Sequence, residues 1–321
     1  MMIGTPVISV IILTHNRPQF VRRAVRSIME QEFGSYELIL IDNGSTDGTG
    51  EVCKGIVAEN DAIRFMRRED CRIGSGRNAG LDAARGEYVT FIDDDDYAYP
   101  GMLSFLHDLA ETYGADISFC GADRETEDAG TEPHFSFDKL LLMPPEEAVI
   151  ELLERKLLNM ATPTKLFKKQ LFKNERFRED RKYDDISTTY RLFASANKIV
   201  GHGIPKYCFY RHDGNHSSFT DNAKKLLSDQ LDEYFTAYRE RTVWLTEKLP
   251  SISDYIHYSE WSFLLSMYRK IVSNKLKNCE EQRKYCDAYL RWAGGRHLGS
   301  PWIKPFEFDY LKLYYETRGE K

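Results

Sequence analysis

Short apolar runs alternate with stretches of helical periodicity through the first 120 residues, and that alternation predicts βα units feeding a parallel sheet. Residues 7–13 are almost wholly apolar, as a strand covered on both faces should be. A helix is expected next: Phe20, Val21, Ala24, Val25, Ile28 and Met29 recur at helical spacing, with Asn16 as its cap and Pro18 in its first turn. Residues 36–42 read as a second strand, ended by the turn Asn43-Gly44-Ser45. A helix over 49–58 and a strand over 62–66 make the next unit.

The stretch 72–78 is rich in glycine and arginine, and it reads as a loop leading into a helix over 79–85. The strand predicted at 88–92 stops at Asp93-Asp94-Asp95-Asp96, so these carboxylates fall at a strand's carboxyl end, where open α/β sheets place their ligands. A helix over 102–113 and a strand over 116–120 follow. Residues 121–139 are polar and aperiodic, which predicts a surface loop or lid. Ala148, Val149, Leu152, Leu153 and Leu157 mark a helix over 146–158, and from residue 222 onward the chain reads as helical and rich in aromatic residues.

Composition removes several function classes. With 44 basic and 50 acidic residues interspersed, the net charge of −6 offers no positive field for nucleic acid. The apolar runs are far shorter than the roughly 20 residues that span a bilayer, and no signal-peptide pattern opens the chain; a cytoplasmic protein is expected. Six cysteines without a CxxC pair predict reduced, mostly buried thiols. His212-x-x-x-His216 has helical zinc spacing, but Asp213-Gly214-Asn215 between them is a turn sequence.

The acidic run Asp93–Asp96 carries the strongest local signal. Clustered carboxylates raise one another's pKa unless a cation compensates, and Mg2+ or Mn2+ does so with one or two carboxylates plus diphosphate oxygens; a solvated turn capping the helix after Pro100 is the competing reading. Asp42 ends a neighbouring strand and could accept hydrogen bonds from a base or ribose, or simply form its turn. Arg72 and Arg77 could face an anionic ligand, or be two solvated surface arginines. The glycine spacing there, Gly-x-Gly-x-x-x-Gly after a charged segment, argues against a dinucleotide fingerprint, and no GxxxxGK[ST] loop occurs. Asp184-Asp185 precedes a helical run and suits either an N-cap or a general base. Arg211, His212 or His216 could touch a diphosphate.

In order along the chain, Val7 to Arg17, Gln31, Glu37 to Asp47, Gly76-Arg77-Asn78-Ala79-Gly80-Leu81, Ala84 to Tyr88, Phe91 to Asp96 and Pro100 resemble family 2 glycosyltransferases, the large inverting GT-A group. A weaker resemblance continues through Lys165-Leu166-Phe167, Asp184-Asp185 and Tyr210 to Ser217. Leu13 stands where Pro is usual, Asn43 where a second Asp is usual, and Asp184 where Glu is common.

The resemblance implies a GT-A fold: a Rossmann-like, mostly parallel sheet flanked by helices, with a C-terminal helical extension. It implies a nucleotide-sugar half over 1–120, an acceptor half over 121–220 and a helical region over 221–321. Thr14, Asn16 and Asp42 would hold the base, usually uracil, assisted by Arg72. Asp95 of the DXD-type motif would bind Mn2+ or Mg2+, with Asp93 or Asp94 nearer the sugar, and Asp185 would be the catalytic base. The expected reaction is inverting, non-processive transfer from a UDP-sugar to a saccharide or lipid-linked saccharide in surface polysaccharide or glycan synthesis. The processive branch's Gln-x-x-Arg-Trp is reduced here to Leu290-Arg291-Trp292 without its Gln.

Two rivals remain at this point, a nucleotidyltransferase and an inactive carbohydrate-binding or scaffold protein. The aromatic stripe from Tyr234 to Leu265 is expected to pack on the catalytic core; self-association and peripheral contact with the inner face of the membrane are the alternatives.

Overall fold

In the computed structural model, which describes residues 5–60, 62–212, 214–215 and 226–317, the wholly apolar runs lie at the centre of the sheet. Strand β1 (Ile8–Thr14) lies parallel between β2 (Tyr36–Asn43) and β4 (Tyr88–Asp93), and β3 (Ile63–Arg68) extends the sheet beyond β2. The order β3-β2-β1-β4 means that the chain builds outward from β1 and then returns to its other side. Strand order reverses there, between the carboxyl ends of β1 and β4, the point at which open α/β sheets bind their ligands.

Beyond β4 the sheet is mixed. Strand β9 (Lys165–Lys168) runs antiparallel between β4 and β6 (Ile117–Thr126), and β10 (Ile199–Arg211) lies parallel to β6. Short antiparallel pieces complete it: β5 (Tyr97–Ala98) and β8 (Leu140–Met143) on β10, and β7 (Gly130–Pro133) on β6.

Helices cover both faces of the parallel half. Ile8, Val10 and Ile12 share a core with Val21, Ala24, Val25 and Ile28 of α1 (Val21–Met29) and with Met102, Leu103 and Leu106 of α4 (Met102–Tyr113). The other face carries α3 (Ile73–Ala83), so close that a Cβ on Gly80 would fall 2.7 Å from Ile11 Cγ2. Helix α2 (Thr49–Glu59) links β2 to β3; α5 (Pro145–Glu154) and α6 (Asp184–Ser195) pack on each other.

Four local expectations are corrected. The glycine-rich stretch is helix α3 and not a loop; glycine is a poor helix former, but its missing side chains let this helix approach the sheet. Residues 121–139 are not a lid: β6 continues to Thr126 and turns into β7, whose exposure on every residue leaves no apolar alternation to read. Asn16 does not cap α1. It sits in the left-handed region (φ 53°), and its Oδ1 accepts a hydrogen bond from Thr46 N instead. Asp184 and Asp185 lie inside the first turn of α6, with Tyr183 before them, so neither is the N-cap.

The chain divides into two compact units, Met1–Arg211 and His212–Lys321. In the second, α8 (Ser253–Ser273) packs with α7 (Ser228–Lys248), α9 (Glu280–Ala293) and α10 (Pro305–Thr317). Its aromatic residues meet one another: Tyr238 stacks on Phe263 with centroids 3.5 Å apart, and Tyr255 meets Trp302 edge-on. Among the described residues no helix is long and apolar enough to cross a membrane.

Candidate active site

Register fixes which groups meet at the carboxyl ends of β1 and β4. Leu13 pairs with Asp93 across β1 and β4, so the residues just beyond them, Thr14 to Arg17 and Asp94 to Asp96, face each other. Thr14 Oγ1 donates to Asp94 Oδ2 at 2.7 Å. Arg17 Nη1 lies 2.9 Å from Asp94 Oδ1 and 2.5 Å from Asp95 Oδ2. Arg23, held between the rings of Tyr97 and Tyr210, donates through Nη2 to the Asp95 carbonyl at 2.6 Å. The fourth aspartate plays a different part: Asp96 accepts from Tyr207 Oη at 2.9 Å and from Tyr210 N at 2.8 Å, which ties the strand end to β10.

The left-handed turn at Asn16 aims Arg17 inward. Asn16 N donates to Ser45 Oγ, and Arg17 N donates to Thr49 Oγ1, so the loop after β1 is tied to the loop after β2. Asp42 closes β2 within this second loop, its Oδ1 accepting from Ser45 N. It is fully buried, with Arg67 Nη1 3.5 Å from its Oδ2. Arg72 stands outside this cluster, exposed at the start of α3 and paired with Asp70 at 2.7 Å.

Arg77 is the arginine that α3 turns inward. Its Nη2 lies 3.2 Å from Asp93 Oδ1 and its Nη1 3.1 Å from Asp184 Oδ2, and its guanidinium lies near the rings of Phe91 and Phe177. One buried cation thus joins the end of β4 to the first turn of α6. Asp185 follows, half-buried, with its Oδ1 accepting from Ile186 N at 2.7 Å. Behind this group Lys165 is wholly buried, and its Nζ donates to the Ala161 carbonyl at 2.7 Å.

Burial dominates the electrostatics. It pushes Asp94 up to about 7, with Arg17 drawing it down and Asp95 adding to the rise. It raises Asp184 to about 6, Arg77 opposing and Asp185 and Asp93 adding. Asp93 is raised by burial against the pull of Arg77, and Asp96 well above the carboxylate range by burial and its neighbours Asp95 and Asp93. For Lys165 the same desolvation works on a cation and lowers it to about 7. Burial also disfavours the Arg77 cation, but Asp184 and Asp93 outweigh it and the net shift is upward.

Among the described residues no three His, Cys, Asp or Glu side chains converge as a protein-only metal cage. The hard oxygens of Asp94 and Asp95 nevertheless suit a divalent ion completed by phosphate oxygens, and the Arg17 guanidinium shared between them shows that the pair accommodates a cation.

Glycosyl transferase family 2 matches this chain over residues 9–176, just over half its length and including β1, β4 and the aspartate run. The chain belongs to that family. Glycosyltransferase GlyG of Streptococcus pneumoniae is 29% identical over 217 residues, 65% of this chain and 72% of that protein. The GalNAc(5)-diNAcBac-PP-undecaprenol beta-1,3-glucosyltransferase of Campylobacter jejuni is 29% identical over 230 residues, 71% of this chain and 72% of that protein. The fold is GT-A, as in S. aureus TarS 1-349 in complex with UDP-GlcNAc, which superposes with a TM-score of 0.71 at 21% identity over 90% of this chain and 82% of TarS. The mannosyltransferase PcManGT of Pyrobaculum calidifontis, in complex with GDP-Man and Mn2+, has a TM-score of 0.57 at 15% identity over 98% of this chain and 81% of its own.

In this glycosyltransferase, Thr14, Asn16, Asp42, Asp93, Asp94 and Asp95 gather around the ends of β1, β2 and β4, and Arg77 draws in the first turn of α6 that carries Asp185. Arg17, Lys165 and Tyr207 were given no role from sequence, although the first two lie in segments that resemble the family, and Arg77, read from sequence as facing an anionic ligand or solvent, is paired with Asp93 and Asp184 instead; only the folded register shows which of them point inward. Arg211 closes β10, and His212 N donates to Asn215 Oδ1. His216 and Ser217 lie outside the described residues.

Proposed function

We propose that this glycosyltransferase moves a sugar from a UDP-sugar to a saccharide or lipid-linked saccharide hydroxyl in bacterial glycan synthesis, inverting the anomeric centre and releasing after one transfer. The observation that carries this reading is the Arg77 bridge, which brings the first turn of α6 to the end of β4. Asp185 is the half-buried carboxylate beside that bridge, whereas Asp184 is 3% exposed and engaged by Arg77.

Asp185 accepts the proton of the acceptor hydroxyl as its oxygen attacks the anomeric carbon from the face opposite the diphosphate. The bond from that carbon to the diphosphate oxygen breaks, and its electron pair leaves with the nucleotide. Asp93 and Asp94 lie nearer the ribose and sugar, and Asp95 would hold Mn2+ or Mg2+, which when bound neutralises charge on the diphosphate. Thr14, Asn16 and Asp42 form the base side, with Arg72 at its rim. The UDP-GlcNAc bound by TarS supports the donor class, the Mn2+ bound by PcManGT supports the metal, and the undecaprenol in the name of the C. jejuni relative supports a lipid-linked acceptor. Such an acceptor would bring the protein to a membrane surface.

Asp185→Asn is expected to lower the transfer rate at least about a hundredfold while leaving UDP affinity in calorimetry near wild type. Transfer at the wild-type rate would remove Asp185 as the base. A thermal-shift screen of UDP-, GDP- and TDP-sugars with and without Mn2+ identifies the donor, since a ligand bound only by the folded state raises stability.

A further inference from the structure

We infer that Arg17 is the resident counter-ion of the Asp94–Asp95 pair, and that a divalent metal and a nucleoside diphosphate load together because Arg17 must first be drawn off Asp95. The inference rests on the reading of Asp95 as the metal-holding residue and adds a residue that controls when it does so.

One guanidinium nitrogen, Nη1, contacts both carboxylates, at 2.9 Å and 2.5 Å, with the three side chains only 14%, 6% and 7% exposed. An ion pair shielded from water to this extent is far stronger than one on an open surface. Its placement is built in. The left-handed Asn16, the Arg17 N to Thr49 Oγ1 hydrogen bond and the Thr14 to Asp94 hydrogen bond fix both sides of the contact.

A dication arriving alone at Asp95 therefore meets a carboxylate already paired with Arg17 and is repelled by the guanidinium, whose Nη1 lies 2.5 Å from Asp95 Oδ2. A nucleoside diphosphate changes the balance in two ways. It supplies oxygens to complete the metal's shell, and it offers Arg17 another anion suited to its fork of donors. Metal and diphosphate should then bind cooperatively, each tightening the other by the same factor, and Arg17 should be the source of much of that factor.

The test is a titration of the 321-residue chain with Mn2+, followed by the paramagnetic resonance of the free ion, with and without UDP. Wild type is expected to bind Mn2+ weakly alone and much more tightly with UDP. Arg17→Ala is expected to bind Mn2+ alone at least about tenfold more tightly than wild type, ~1.4 kcal/mol, and to show a smaller enhancement by UDP. Arg17→Lys, which keeps the charge, should stay near wild type. Arg17→Gln gives the same reading as Arg17→Ala if the alanine variant does not fold. Unchanged or weaker Mn2+ binding by the folded neutral variant, with Asp95→Asn still abolishing Mn2+ binding in the presence of UDP, overturns the role of Arg17 alone. Mn2+ binding that survives Asp95→Asn removes the metal reading of Asp95, and the Arg17 inference with it.

Discussion

Arg77 serves two carboxylates from one guanidinium, the buried Asp184 and the half-buried Asp93. Replacing it by Gln leaves the buried Asp184 without its cation, a loss that typically costs about 3–5 kcal/mol, while water screens the half-exposed Asp93, so a destabilisation of about 3 kcal/mol is expected in urea unfolding. Adding Asp184→Asn removes one of the stranded charges. The double variant should therefore be more stable than the sum of the two single losses allows, and strict additivity would refute the bridge. The same residue shows what sequence can and cannot resolve here. Arg72 and Arg77 stand five positions apart in one glycine-rich stretch, chemically alike; only the start of α3 at Ile73 decides that Arg72 stays outside on Asp70 while Arg77 enters between Asp93 and Asp184.

Helix α3 is also the element that the pattern of residues hid. Strands β1, β2 and β4 were legible because burial on both faces demands unbroken apolar runs, and α4 because its apolar stripe repeats at helical spacing. α3 has three glycines, Gly74, Gly76 and Gly80, which locally argue against a helix; the helix holds because those positions lie against other backbone and side chains. A Cβ on Gly74 would fall 2.3 Å from the Arg178 carbonyl oxygen, a backbone atom that cannot rotate away. Gly74→Ala should therefore destabilise by about 1–3 kcal/mol. Gly55, inside α2, meets nothing nearer than Arg22 Nη2 at 3.9 Å, and Gly55→Ala should stabilise by about 0.5–1 kcal/mol through helix propensity alone. Denaturation midpoints that moved in the same direction for both would show that close approach is not what keeps these glycines apart in effect. The β6–β7 hairpin was hidden for another reason: backbone pairing forms it, and the exposure of every β7 residue leaves no period to detect.

The buried titratable groups make the stability of the whole first unit depend on pH, with opposite signs on the two sides of neutrality. Asp184 and Asp94 are raised from 3.8 to about 6 and about 7, so between roughly pH 4 and 7 the folded state holds protons that the unfolded chain has released, and stability falls as pH rises. Lys165 is lowered from 10.5 to about 7. Between about pH 7 and 10.5 the unfolded chain binds the proton that the folded state has lost, so its contribution rises with pH; below 7 both states are protonated and the contribution is flat at its least favourable. Lys165→Met removes this second effect and also the hydrogen bond to the Ala161 carbonyl, a loss that does not vary with pH. The difference in unfolding midpoint between Lys165→Met and wild type should therefore shift steadily in favour of wild type from pH 7 to pH 10, as the desolvated amine ceases to cost wild type anything. The transition to follow is that of the first unit, because two compact units need not unfold together. A difference that stays constant across this range would mean that Lys165 is protonated in the folded state and that its charge is balanced within the site.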